Sequence, residues 1–182
     1  MPSPTLSLVL TLLGPDRPGL VERLSELVTR HGGNWVESRM ARLGGQFAGI
    51  LRIEMEPEQV QAFRTASLSL ESSDLRVLVS AGEDVPPEPA LRAASLDLVG
   101  QDRPGIVREI SRVLAERGVN VEELTTGVTN APMSGEVLFF AKARLGLPPE
   151  LAIDALRASL ERLAADLMVD VSLQDAETTS RD

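Results

Sequence analysis

One pattern of ten residues occurs twice in this chain. Leu12-Leu13-Gly14-Pro15-Asp16-Arg17-Pro18-Gly19-Leu20-Val21 returns as Leu98-Val99-Gly100-Gln101-Asp102-Arg103-Pro104-Gly105-Ile106-Val107, at an offset of 86 residues. Ser25/Ser111, Gly32/Gly118, Asn34/Asn120 and Glu37/Glu123 keep the same offset without a gap. A repeat longer than about 50 residues points to duplicated domains rather than to a solenoid of small units. Length alone would allow one large domain or two small ones, and the repeat decides for two. A domain of about 80 residues buries only about 60% of its unfolded surface, so two such domains would gain from packing together.

Each copy reads strand, helix, strand, strand, helix, strand. In the first copy, a β-rich run over Thr5–Leu13 precedes a helix over about Pro18–His31. Leu20, Val21, Leu24, Leu27 and Val28 form one stripe of a 3.6-residue period, and Gly32-Gly33 ends it. Asn34–Leu43 and Phe47–Met55 are strands joined at Gly44-Gly45, a hairpin signal. Pro57 opens a second helix to about Ser69, and Leu75–Ala81 is the last strand. The second copy repeats the order. Its first helix carries Ile106, Val107, Ile110, Val113 and Leu114, and strands follow near Asn120–Val128 and Glu136–Arg144. The loop Thr129–Gly135 is longer than its counterpart, Pro148-Pro149 opens a long helix with Leu151, Leu156, Leu160 and Leu163, and Leu167–Leu173 closes the copy. Both helices of a βαββαβ unit bury their stripes on one sheet face. The fold class is α+β, with two ferredoxin-like sandwiches. The expected limits are residues 1–82 and 93–173 for the domains, 83–92 for a proline-rich acidic linker, and 174–182 for a polar tail.

Composition narrows the function. The chain has no cysteine, which removes disulfides, thiolate metal sites and a cysteine nucleophile together. Its one histidine excludes a two-histidine metal site and reads as a helix C-terminal residue rather than as the partner of a serine, so no cofactor or metal is expected and an enzyme is disfavoured. The formal net charge is −9 and no basic block stands out, which disfavours direct binding of nucleic acid. No run approaches the roughly 18 apolar residues of a membrane span, and the first residues lack a basic leader. A cytoplasmic protein is expected.

The repeated Asp-Arg-Pro-Gly is the candidate site. Asp16 and Asp102 could cap the following helix by accepting the N–H of Gly19 or Gly105. Pro18 and Pro104 suit a first turn. The free N–H groups and the helix dipole would then attract a carboxylate, while Asn34 and Asn120 offer a donor and an acceptor. Together these groups could hold an α-amino acid where strand ends face across a domain–domain seam. Taken singly, each motif is also a good turn: Asp-x-Pro-Gly starts a helix and an Asn after Gly-Gly ends a turn. His31 reads as a helix C-terminal surface residue, and Glu37 and Glu123 read as solvated strand carboxylates. Trp35 reads as packing at a sheet edge or seam.

Gly-x-Asp-Arg-Pro-Gly-[Leu/Ile]-Val, a helix, then Gly-x-Asn resembles the ACT domain family over nearly the whole chain. The resemblance implies a regulatory module that binds a small ligand at domain–domain interfaces. Asp16, Pro18, Gly19, Leu20 and Asn34 in the first copy, and Asp102, Pro104, Gly105, Ile106 and Asn120 in the second, are the ligand-binding residues it implies. In the similar serine-binding ACT domains of phosphoglycerate dehydrogenase, an Asn matching Asp16 and Asp102 and an Asn matching Asn34 and Asn120 touch ligand. A histidine of that set falls on Gly14 and Gly100, so one contact is missing here. Two such domains with a longer second hairpin are similar to the glycine cleavage system transcriptional repressor family. That likeness implies a homo-oligomeric regulator that responds to glycine or a serine-like amino acid and acts through a transcription-factor partner. A ligand-independent interaction module is the alternative.

Overall fold

Alternation builds the central strands. In β1 (Leu6–Pro15), Leu8, Leu10 and Leu12 point one way and are buried, while Leu13 and Pro15 point the other way and are exposed. In the partner strand β3 (Gln46–Met55), Leu51, Ile53 and Met55 answer them on the same face. The computed structural model describes residues 5–82, 91–130 and 136–175. The chain divides into two compact units, Met1–Val85 and Pro86–Asp182.

Unit 1 runs β1, α1 (Leu20–Arg30), β2 (Asn34–Leu43), β3, α2 (Pro57–Ser67) and β4 (Arg76–Ala81). Its antiparallel sheet has the order β2-β3-β1-β4. Unit 2 runs β5 (Arg92–Gln101), α3 (Ile106–Glu116), β6 (Asn120–Asn130), β7 (Val137–Leu147), α4 (Ile153–Leu167) and β8 (Val169–Asp175), with the order β6-β7-β5-β8. Each is a βαββαβ sandwich with both helices on one sheet face, as the stripes require.

The core of each unit lies between that face and the helices. In unit 1 Leu20, Leu24, Leu27 and Val28 of α1 and Phe63 of α2 meet the leucines of β1. In unit 2 Ile106, Ile110 and Leu114 of α3 meet Leu156, Leu160 and Ala164 of α4, over Leu96, Leu98 and Leu145. Each such buried side chain stabilises by about 1.5–3 kcal/mol. Both first helices end alike. The Gly33 N–H donates to the Val28 carbonyl and the Val119 N–H to the Leu114 carbonyl, after Gly32 and Gly118 in the left-handed region, the Schellman arrangement. The His31 imidazole caps α1 at the Leu27 carbonyl through Nδ1 at 2.9 Å and meets the buried Phe63 ring edge-on. It is thus half-buried rather than a purely surface residue.

Several expected limits move. The second helix of unit 2 starts at Ile153, not at Pro148-Pro149. A residue before proline is disfavoured in the helical region, so Pro148 cannot begin a helix, and the Leu151 N–H closes a separate turn onto its carbonyl at 3.0 Å. In unit 1, Pro57 does open α2, which tightens into a 3-10 turn at Leu68. Arg92 pairs with Leu147 at the start of β5, and Gln174 and Asp175 pair with Ser95 and Ala94, so strands reach into the expected linker and tail. Thr129 and Asn130 belong to β6. The remainder of that loop, linker residues 83–90 and tail residues 176–182 lie outside the described residues.

Candidate functional site

The corner between β1 and α1 is built differently from its expected form. Gly19 and Gly105, not the aspartates, are the helix N-caps, with φ 86° and 97° and no side-chain cap hydrogen bond. This left-handed backbone is open to glycine without a Cβ penalty. The helix begins only at Leu20 and Ile106, no aspartate side chain caps it, and Pro18 and Pro104 lie in the preceding turn rather than in the helix. The first intrahelical bonds are Arg23 N–H to the Gly19 carbonyl and Glu109 N–H to the Gly105 carbonyl, both 3.0 Å. The N–H groups of the first turn ahead of them have no intrahelical acceptor. The Leu20 and Ile106 side chains are buried in the cores, so only their backbones can serve a ligand.

The two corners also differ electrically. In unit 1 the Asp16 carboxylate lies 2.6 Å from Arg42 Nε, and its N–H donates to the Gly45 carbonyl of the β2–β3 hairpin at 2.8 Å. Arg17 reaches Asp74 at 2.9 Å. Glu22 stands in the first helical turn. In unit 2 the repeat offset puts Val128 in place of Arg42 and Arg108 in place of Glu22. Asp102 is exposed and forms no ion pair among the described residues. Arg103 turns to Gln101 and to the Met168 sulfur instead of an acid. The corner of unit 2 therefore keeps a carboxylate with no ion pair among the described residues, beside a helix start where Arg108 pairs with Glu109 at 4.0 Å. Sequence inspection of the motif alone missed Arg42, Asp74 and Arg108; the signal was available at the positions where the copies differ.

The asparagines stand elsewhere. Asn34 is level with Glu54 and hence with Ser7, whereas Pro15 is level with Gln46. Asn120 is level with Gly146 and Ala93, whereas Gln101 is level with Leu138. At a rise of about 3.4 Å per residue, the asparagine and the aspartate corner of one unit lie about 27 Å apart. Neither unit brings its own pair together. The cause is the connection: a helix returns the chain to the opposite end of the sheet before the second outer strand begins.

Two further positions are settled by packing. A Cβ on Gly14 would come within 2.4 Å of the Asp74 carbonyl, and one on Gly100 within 2.4 Å of Val169. No larger side chain, histidine included, fits there. Glu37 pairs with Arg39 and Arg52, and Glu123 with Arg144, so both are solvated strand ion pairs. On the solvent face of α3, hydrogen bonds with Glu109 and then Glu116 hold the Arg112 guanidinium above its ordinary pKa. Among the described residues no group of His, Asp and Glu could hold a metal ion, and no helix is long and apolar enough to cross a membrane.

Comparison with known proteins agrees with this architecture. ACT domain models match residues 7–81 and 94–161. The glycine cleavage system transcriptional repressor of Escherichia coli K12 is 28% identical over 123 residues, 65% of this chain and 63% of that relative. The match thus spans under two thirds of its length. Phosphoserine phosphatase SerB2 of Mycobacterium tuberculosis is 24% identical over 93% of this chain but only 41% of its own. Among solved structures, an unknown protein from Galdieria sulphuraria is 31% identical with a TM-score of 0.84, covering 95% of this chain and 99% of that one. Another, provisionally identified as a glycine cleavage system transcriptional repressor, shares the fold at 22% identity and a TM-score of 0.69, covering 96% and 99%. With a family match in each βαββαβ unit, the chain belongs to the ACT domain family.

Proposed function

We propose that the protein is a non-enzymatic regulator that senses a small amino acid, with the unit 2 corner as the main ligand site. The observation that carries this reading is the exposed Asp102 carboxylate, without an ion pair among the described residues, beside the start of α3. A carboxylate on that helix start satisfies unpaired N–H groups and the helix dipole. Asp102 receives the ammonium group. Such a pair of contacts suits any α-amino acid. Glycine is the first candidate, from the name of the repressor that the chain resembles. The same likeness motivates transcriptional control through a protein partner, and cytoplasmic action. Asn120 joins the ligand only from a second copy of the chain, because within one unit it stands at the far end of the sheet.

Calorimetry against a panel of amino acids tests the reading. Binding should be lost in Asp102→Ala and Asn120→Ala and persist in Asp16→Ala, and sedimentation should show ligand-linked self-association. No heat with any amino acid, in protein confirmed free of ligand, refutes the sensor. A second reading, a ligand-independent interaction module, is favoured by one observation: in unit 1 the equivalent aspartate is already neutralised by Arg42. Binding of a protein partner that is indifferent to every amino acid and to Asp102→Ala would select it.

A further inference from the structure

In unit 2, α3 and the β6 edge leave an apolar cavity of about 160 Å³ between them. Its floor includes the buried Leu96, Ile110 and Ala143, and its mouth includes the exposed Val121, Leu124 and Ser111. No charged side chain lines it. Unit 1 fills the corresponding space with its own side chains. A β-bulge falls at matching points, between Trp35 and Glu37 and between Val121 and Glu123, so the strands can be superposed residue by residue. Trp35, opposite Ile53, corresponds to Val121, opposite Leu145. Met40, opposite Gly49, corresponds to Thr126, opposite Ala141, and Leu51 corresponds to Ala143. Trp35 and Met40 pack on the unit 1 core and Leu51 is fully buried within it. Each has a smaller counterpart in unit 2. Against this, the lining residues Leu124, Ala141 and Leu114 are larger than their counterparts Ser38, Gly49 and Val28, so Trp35 and Leu51 are the losses that open the space.

We propose that this cavity is a binding site for a small uncharged molecule bearing one aromatic ring or a branched alkyl group. The space lies where the twin unit places Trp35 and Leu51. A dry apolar cavity of about 150 Å³ binds benzene, so the volume suffices for one ring. A charged ligand would lose its hydration here without a partner. The site therefore rejects a zwitterionic amino acid, and it shares with the Asp102 corner only the wall formed by Ile106 and Val107 at the start of α3. The exposed mouth gives an entry path, and the Ser111 hydroxyl offers the one polar side chain at the rim.

The test is a titration of the full chain, labelled at its methyl groups, with indole followed by NMR. Saturable shifts are expected at Leu96, Ile110, Val121 and Leu124, with none at Leu10, Leu24 or Leu51. Ala143→Leu and, separately, Val121→Trp fill the space as unit 1 does and should weaken binding by about tenfold or more. Asp102→Ala should leave it unchanged. Absence of saturable shifts up to the solubility of indole overturns the proposal. So does equal binding in both filled variants with unit 2 still folded. Shifts of the mouth methyls that follow protein concentration without indole also overturn it, by assigning the mouth to a second copy of the chain.

Discussion

The two units share a topology and differ in what they have left open. Unit 1 has a filled core and a paired corner aspartate, although a wide polar cleft lined by Gly14, Pro15, Gln46, Asp74 and Arg76 stays open beside that corner. Its core takes Trp35, Met40 and Leu51 between helix and sheet, and its corner aspartate is held by Arg42. Unit 2 is open at both places, with a cavity behind β6 and Asp102 without an ion pair among the described residues. A stable βαββαβ frame needs one well-filled core, not a particular set of surface charges. One copy can therefore keep its packing while the other varies at both places. The contrast is the ground on which ligand chemistry is proposed for unit 2.

That contrast can be broken by exchanging residues between the copies, reading each unit separately by native-state hydrogen exchange. Leu51→Ala copies the unit 2 residue into the filled core and should cost unit 1 about 2–5 kcal/mol; a loss well under that range would mean that unit 1 is also loosely packed. Gly14→Ala pushes a Cβ against the Asp74 carbonyl and should cost about 1–3 kcal/mol by overpacking. Tolerance of this substitution would show that β4 yields at the corner. Ala143→Leu should instead stabilise unit 2 by about 1 kcal/mol, as cavity filling commonly does, with slower amide exchange in β7; destabilisation would mean that the cavity cannot take a side chain from its floor. Asp16→Ala removes an ion pair whose arginine is largely exposed and should cost at most about 1 kcal/mol. Asp102→Ala should be neutral for stability. If it costs as much as a lost helix cap, about 1 kcal/mol, the glycine-capped start of α3 is wrong.

Much of this was legible in the residues themselves. Periodicity placed α1 and α3, with Leu24 and Ile110 inward, and alternation placed Leu51, Ile53 and Met55 on the core face of β3. Gly44-Gly45 marked a tight hairpin, and both glycines do take positive φ. These features depend on neighbours within a few positions, so a local pattern suffices to encode them. Where two local signals competed, reading them was less secure. Asp16 and Gly19 both suit an N-cap, and the backbone took the glycine. Pro148-Pro149 looked like a helix start, yet proline before proline resists the helical region.

The sequence by itself determined the duplication, the family and the residues that face each core, because helix and strand periods repeat within the reach of a few bonds. Tertiary structure alone decided that the aspartate corner and the asparagine of one unit stand at opposite ends of a sheet, that Arg42 pairs with Asp16 while no described residue pairs with Asp102, and that an apolar cavity lies between α3 and the sheet of unit 2. Each of these depends on strands brought together from distant parts of the chain. Register and packing volume are properties of such pairs of strands, which no stretch of either strand specifies on its own.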